Sequence, residues 1–242
     1  MKTVPSAPKV VSPARWLAAR RKLLEAEKQF TRLGDQLAAR RRRLPWMKVM
    51  PDYTFASPRG RVSLADLFAG RSQLIVQHFM FGPGWEEGCK SCSFMMDHFD
   101  STLPHLQARD VAFAAISRAP LAEILPFKKR MGWAVNWVSS DGTDFNFDFN
   151  VSFTEQQQAS GRVHYNYRDQ FFPHEEAPGI SVFARQGGAV YHTYSTYGRG
   201  VEVIMGTYRL LDLVPQGRNE TGLEYDMEWI RYHDRYKPSA AV

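Results

Sequence analysis

The sequence predicts an α/β chain with a mixed sheet, flanking helices, a long N-terminal helix and a sheet extension, and three observations carry that prediction. Gln73 to Met80 and Val111 to Ile116 are short apolar runs of the kind that form buried strands. Each is followed by helix-like spacing: Phe94, Met95, His98, Phe99, Leu103 and Leu106 within residues 93–106, then Leu121 to Arg130. Strand, helix, strand, helix is the order of a layered fold with a parallel component.

Taken in order, Ser12-Pro13 supplies a helix cap and a first-turn proline. Trp16, Leu23, Phe30, Leu37 and Leu44 then recur every seven residues, with Ala19, Ala26 and Leu33 on an adjacent seam, which predicts an amphipathic helix over 13–43. Gly34 weakens it, while its basic end suits a helix C-terminus. The stripe must be covered by the chain's own domain or by a second copy, so a homo-oligomer through this helix is one expectation.

Tyr53-Thr54-Phe55, a turn at Pro58-Arg59-Gly60, and Val62 predict a hairpin, with a helical turn at Ser63 to Phe68. Pro104 is expected to close or bend the last turn of the 93–106 helix. Trp133 to Val138 reads as a strand, and Phe145, Phe147, Phe149, Val151 and Phe153 alternate as a second one. Ile180 to Ala184 and Ala189 to Tyr194 flank Gly187-Gly188 as a hairpin at the sheet edge. Residues 199–209 then read as a helix with a short continuation. The organisation expected is a basic helical arm over 1–44, a main domain over 45–237 with an insert near 133–175, and a frayed tail over 238–242.

With 242 residues, 44% of them hydrophobic and 23% charged, the chain can bury a core without staples. The formal charge of +6 is uneven: residues 1–43 carry +9 and the remainder −3. Nucleic acid is disfavoured as a partner, because Arg40 to Arg43 stand without a reading motif or aromatic platform. No apolar run reaches bilayer length and the N-terminus lacks the core of a secretory signal, so the expected location is cytoplasmic, with no membrane partner.

The chemistry is concentrated in FGPGWEEGCKSCSFMM, residues 81–96, which holds both cysteines, Cys89 and Cys92. Placed after a strand and at the start of a helix, the first sulfur meets unpaired N–H groups that stabilise a thiolate, and the second lies one turn on, where it can attack a mixed disulfide. Cys89 is the expected attacking thiol and Cys92 the resolving one. Lys90 adds positive potential, whereas Glu86 and Glu87 oppose it. A metal knuckle would need about four ligands, and only His78 and His98 could complete it, so neither a metal nor another cofactor is expected.

Gly88-Cys89-Lys90-Ser91-Cys92-Ser93-Phe94 resembles the GCxSCSF signature of an uncharacterised bacterial family, thioredoxin-like and described as predicted dithiol-disulfide oxidoreductases. The likeness extends over Arg42 to Trp46, Tyr53 to Phe55, the stretch HTYSTYGRG from His192, Tyr208 to Asp212, and Pro215 to Arg218. It implies a thioredoxin-like fold and a thiol-disulfide oxidoreductase acting on a protein or small-molecule thiol or disulfide. It also implies an aromatic wall at Trp85, although Glu86-Glu87-Gly88 separates that residue from Cys89. Pro178 falls where such a fold places a cis-proline opposite the dithiol, which together with Gly179 would frame a substrate.

Tyr191, His192, Tyr194 and Arg199 form a polar-aromatic group that could support the site, although Tyr191 and His192 point to opposite faces of a strand. Two other functions compete. In a thiol peroxidase, Cys89 would attack a hydroperoxide and Cys92 resolve the sulfenic acid. In a redox-sensing or oligomerising protein, the long helix would be the main interface.

Overall fold

The computed structural model describes residues 9–237, and the chain divides into two compact units at the Pro45–Trp46 bond. The tail expected to fray, residues 238–242, lies outside the described residues, as do residues 1–8. In the first unit a single helix, α1, runs from Pro13 to Arg41. Ser12 caps it, its hydroxyl accepting from Arg15 N at 3.4 Å, with Pro13 in the first turn and Arg40 and Arg41 in the last. Gly34 does not interrupt it, and none of its residues is buried.

The second unit is built on an eight-stranded sheet. Its strands are β1 (Met47–Lys48), β2 (Thr54–Ser57), β3 (Gly60–Ser63), β4 (Gln73–His78), β5 (Val111–Ser117), β6 (Asn136–Ser139), β9 (Gly179–Gln186) and β10 (Ala189–Tyr197), while β7 (Val163–Tyr165) and β8 (Arg168–Gln170) form a separate hairpin. The spatial order is β1-β10-β9-β4-β5-β6-β2-β3. β4, β5 and β6 are parallel, and antiparallel strands extend the sheet on both sides. The helices are α2 (Lys90–Met96), α3 (Leu103–Ala108), α4 (Leu121–Arg130), α5 (Phe145–Asp148), α6 (Glu155–Ala159) and α7 (Gly206–Leu211). This is an elaborated thioredoxin-like architecture, with the dithiol at the start of the helix that leaves a central strand.

Two cores sandwich the sheet. Alternation along β4 sends Ile75 to the face packed by α2 and α4, together with Phe79, Met95, Phe127 and Trp137. Leu74 and Val76 go to the opposite face, with Phe55, Phe145, Phe149 and Phe183.

β4 ends at His78 instead of Met80 and β6 spans Asn136–Ser139 instead of Trp133 to Val138, and four elements depart further from expectation. The 93–106 helix is two helices joined through a 3₁₀ turn at Asp100–Thr102, and Pro104 opens α3 rather than closing α2, since a first-turn proline lacks only an N–H that has no partner there. The aromatic stretch 145–153 is not a strand. Phe145 to Asp148 is one helical turn, whose four-residue period brings Phe145 and Phe149 to a ring-centroid distance of 4.8 Å, and Phe147 points away to lie under the Arg118 guanidinium. The β9–β10 hairpin is not at the edge, because Met47 and Lys48 pair beyond it with His192 and Tyr191. Residues 198–204 form 3₁₀ turns before the α-helical α7, in place of one helix over 199–209.

Candidate functional site

β4 ends at His78, and the chain then crosses the top of the sheet as an irregular loop to Gly88. Main-chain bonds fix its course: Phe79 N donates to Ile116 O at 3.0 Å, Ala119 N to Phe81 O at 2.8 Å, and Cys89 N to Met80 O at 2.9 Å. Gly88 sits against two rings, where a Cβ would lie 2.6 Å from Phe79 and 3.0 Å from Phe127, so only glycine allows the chain this close to the core. The Tyr232 hydroxyl donates to the Gly88 carbonyl at 2.6 Å. Glu87 pairs with Arg130 and Arg235, which turns its charge away from the opposition to Cys89 expected of it.

Cys89 is the N-cap residue of α2 and partly exposed, whereas Cys92 is buried at 1% exposure; both are free thiols. The Met80 N–H points at Cys92 Sγ at 3.5 Å, and Gln77 Nε2 donates to the Cys92 carbonyl at 3.1 Å. A hydrogen bond from the Cys92 thiol, against the opposing effect of burial, pulls Cys89 down to about 7, aided by the Cys92 and Ser91 N–H groups and the Lys90 charge. Burial, the hydrogen bond to Cys89 and the charge on that sulfur drive Cys92 in the other direction, well above the ordinary thiol value. The pair is therefore divided into an acidic, reachable sulfur and a protected one.

Glu176 lies close enough for its charge to raise Cys92 further. Its carboxylate is 1% exposed, accepts from Ser152 Oγ at 2.7 Å and pairs with Arg118 Nη1 at 2.9 Å. Burial lifts it to about 7, against the pull of Ser152, Arg118 and Asn146. Cys89 and Cys92 open on a cleft of about 430 Å³ walled by Met80, Met95, Phe172, Val201, Met205 and Met227.

Residues 5–236 match the family described as bacterial protein of unknown function (DUF899). The chain belongs to this family. No curated protein matches the sequence. Among solved structures, this DUF899 protein is similar to the bacterioferritin comigratory protein of Xanthomonas campestris, at 11% identity and a TM-score of 0.43 over 69% of this chain and 98% of that one. It is also similar to the peroxidoxin BcpB of Mycobacterium tuberculosis, at 12% identity and 0.41 over 68% and 97%.

The remaining sequence-predicted residues of the DUF899 chain divide into those at the cleft and those elsewhere. Pro178 and Arg199 line it with the cysteines, and Lys90 stands exposed beside Cys89. Pro178 is not cis: among the described residues every peptide bond is trans. The Tyr165 hydroxyl donates to its carbonyl at 2.7 Å and Ala177 N to Val151 O at 2.8 Å, which hold the chain extended into β9. Gly179 is not among the residues lining the cleft and packs on Tyr197, where a Cβ would lie 2.7 Å from the ring. Trp85 borders a neighbouring depression with Phe153 and His174, and its Nε1 donates to Glu175 at 2.8 Å.

His192 is not at the cysteines. A bulge in β10 between His192 and Tyr194 puts His192 on the same face as Ser195, and Nε2 meets that hydroxyl at 2.7 Å. The hydrogen bonds continue through Ser181 to His78, which stacks on Phe145 and Phe149 across the sheet from α2. Burial lowers both histidines, His78 to about 3. Tyr191 packs on Trp46, and Tyr194 pairs in register with Val182. His98 bonds to Thr207 at 2.8 Å, so neither histidine of the four-ligand alternative joins the sulfurs.

Sequence reasoning missed Glu176, Arg118 and Tyr165. A signal for the first was present: Glu175-Glu176 stands two residues before the proline already placed opposite the dithiol.

One outcome follows from the divided acidities. Alkylation of Cys89 by iodoacetamide is expected to be half-maximal near pH 7, where its thiolate is half formed, with Cys92 unmodified through pH 9. In a Cys92→Ala variant the midpoint moves upward, because the strongest donor to Cys89 is gone; mass spectrometry of the alkylated peptide measures both.

Proposed function

We propose that the protein is a thiol-disulfide oxidoreductase that passes electrons between its Cys89/Cys92 dithiol and an external disulfide. The observation that carries this reading is the placement of the two thiols, Cys89 partly exposed at the N-cap of α2 on the cleft and Cys92 buried one turn on, and the lowering of Cys89 against the raising of Cys92 agrees with it. The Cys89 thiolate attacks one sulfur of the disulfide, forming a mixed disulfide and releasing the other sulfur as a thiolate. Cys92 then loses its proton, with Glu176, whose charge acts on that thiol, as the proposed acceptor, and attacks Cys89 Sγ. The second thiolate leaves, and the Cys89–Cys92 disulfide holds the two electrons' worth of oxidation. The reverse sequence oxidises an external dithiol.

A substrate disulfide mixed with the reduced protein is expected to remove two protons' mass, localised to Cys89 and Cys92 and restored by dithiothreitol. No such change with any disulfide across physiological potentials sinks the proposal. Peroxide reduction is the second reading, favoured by the same reachable thiolate in an apolar cleft. It requires rapid peroxide consumption and a sulfenic acid on Cys89 in a Cys92→Ser variant.

A further inference from the structure

An extended peptide can be held by pairing its main chain, as an added strand, with free backbone groups of a sheet. Here the backbone beside the dithiol is already engaged. Gly179 pairs with His78 on one side and Tyr197 on the other. Pro178 has no N–H, and its carbonyl accepts from the Tyr165 hydroxyl at 2.7 Å. The Ala177 N–H is bonded to Val151 O at 2.8 Å. A polypeptide reaching Cys89 finds no free strand at this position to pair with.

The cleft offers a different kind of recognition. Its volume of about 430 Å³ lies within the range of small-molecule pockets, roughly 300–1,000 Å³. Four thioethers, from Met80, Met95, Met205 and Met227, dominate its walls with Phe172 and Val201. Unbranched thioethers are polarizable and repack around apolar groups of varied shape. Polar side chains also line it, His174, Arg199, Glu202 and Asp226 among them, but Glu202 is paired with Arg199 and Arg218, the Tyr165 hydroxyl is bonded to Pro178 O and Gly198 N, and most of the exposed wall is apolar, so the wall selects mainly by apolar contact.

We infer that the disulfide processed at Cys89 is a low-molecular-weight organic disulfide with apolar substituents, held by the methionine wall, and not a protein disulfide. This inference rests on the thiol-disulfide reading above. The balance is that of dithiol exchange: the protein's two thiols and R–S–S–R give the Cys89–Cys92 disulfide and two R–SH, the substrate being reduced and the protein oxidised.

The test uses the full reduced chain with two probes of nearly equal size, dipropyl disulfide and bis(2-hydroxyethyl) disulfide, which differ by a methyl in place of each hydroxyl, and with insulin as a protein disulfide. The rate of Cys89–Cys92 formation, followed by intact mass, is divided by the rate of the same probe with free dithiothreitol to remove intrinsic reactivity. Dipropyl disulfide is expected to be preferred by about tenfold or more, the scale on which burial of two apolar groups acts, and insulin to gain nothing over dithiothreitol. A Met227→Gln variant lowers the preference several-fold and Met227→Leu retains it.

A preference near one, an unchanged preference in Met227→Gln, or faster reduction of insulin than of either small probe overturns the inference, while Cys89–Cys92 formation in those same samples leaves the oxidoreductase reading standing. If no probe forms the Cys89–Cys92 disulfide, the underlying reading falls and this inference with it.

Discussion

Cys92→Ser is expected to leave the first chemical step intact and stop the second. Attack on the substrate needs the Cys89 thiolate, whose acidity rests first on a hydrogen bond donated from position 92. Serine keeps a hydroxyl there and so retains a donor, and the mixed disulfide forms. Release then fails, because the hydroxyl is no nucleophile toward a disulfide and an external thiol must replace it. Well-oriented intramolecular attack corresponds to effective concentrations of about 10⁵ M or more. With external thiol at millimolar levels, turnover should fall by at least about 10³-fold even after a generous allowance for imperfect alignment in the native pair. A covalent adduct with the mass of one substrate half should accumulate on Cys89 to near one per chain. Cys89→Ser should give neither turnover nor adduct, since the remaining sulfur is 1% exposed. A Cys92→Ser protein that turns over at the wild-type rate would remove Cys92 from the mechanism.

The features legible in the sequence are the local ones. The strand opening at Gln73, which ends at His78 two residues short of the expected Met80, the cysteine spacing on the following helix turn and the cap at Ser12 each depend on residues within a few positions of one another. Elsewhere a longer-range effect decides. Phe145 to Phe153 alternate as a strand does, yet packing of Phe145 and Phe149 against Tyr53, Phe55 and Phe183 selects a helical turn, in which residues four apart share a face. Residue chemistry alone groups His192 with the site of the cysteines. Strand direction and the β10 bulge carry it to the other face, beside Ser195. The extended course of the chain at Pro178 is held by bonds to Tyr165 and, through Ala177 N, to Val151 O, 13 and 27 positions from the proline, which no local pattern announces. Glu176 is the same case in a functional setting: its residue type was visible, but its burial against Arg118 and Ser152 exists only once β5 and the 152–176 bridge are assembled.

Glu176→Gln should slow the resolving step by about 10²-fold, the usual contribution of a positioned general base, and leave the first attack by Cys89 unchanged. The amide occupies the same volume and can still bond to Ser152 and Arg118, but it cannot take the Cys92 proton. In stopped-flow measurements the mixed disulfide would therefore form at the wild-type rate and persist longer. The limb of the second-step pH profile near 7, which belongs to a carboxyl group made less acidic by burial, would disappear. A merely structural role predicts a different result, with both steps slowed together or neither.

Stability gives an independent reading of the same charge. The folded protein holds the Glu176 proton up to about pH 7, whereas an unfolded carboxylate loses it near its ordinary value of 4.5. Between those limits the folded state binds more protons than the unfolded one, so raising the pH favours unfolding. The stabilising effect of the proton is complete below about 4.5 and lost by about 7, and the ionised group then costs the fold on the order of 3 kcal/mol. Urea unfolding of wild type and Glu176→Gln at several pH values should show the wild type losing stability relative to the variant across that window, with a constant difference above it. A difference that is flat from pH 4.5 to 7 would mean that Glu176 enters the fold already ionised. It would then be a fixed partner of Arg118 instead of the acceptor through which Cys92 becomes a nucleophile.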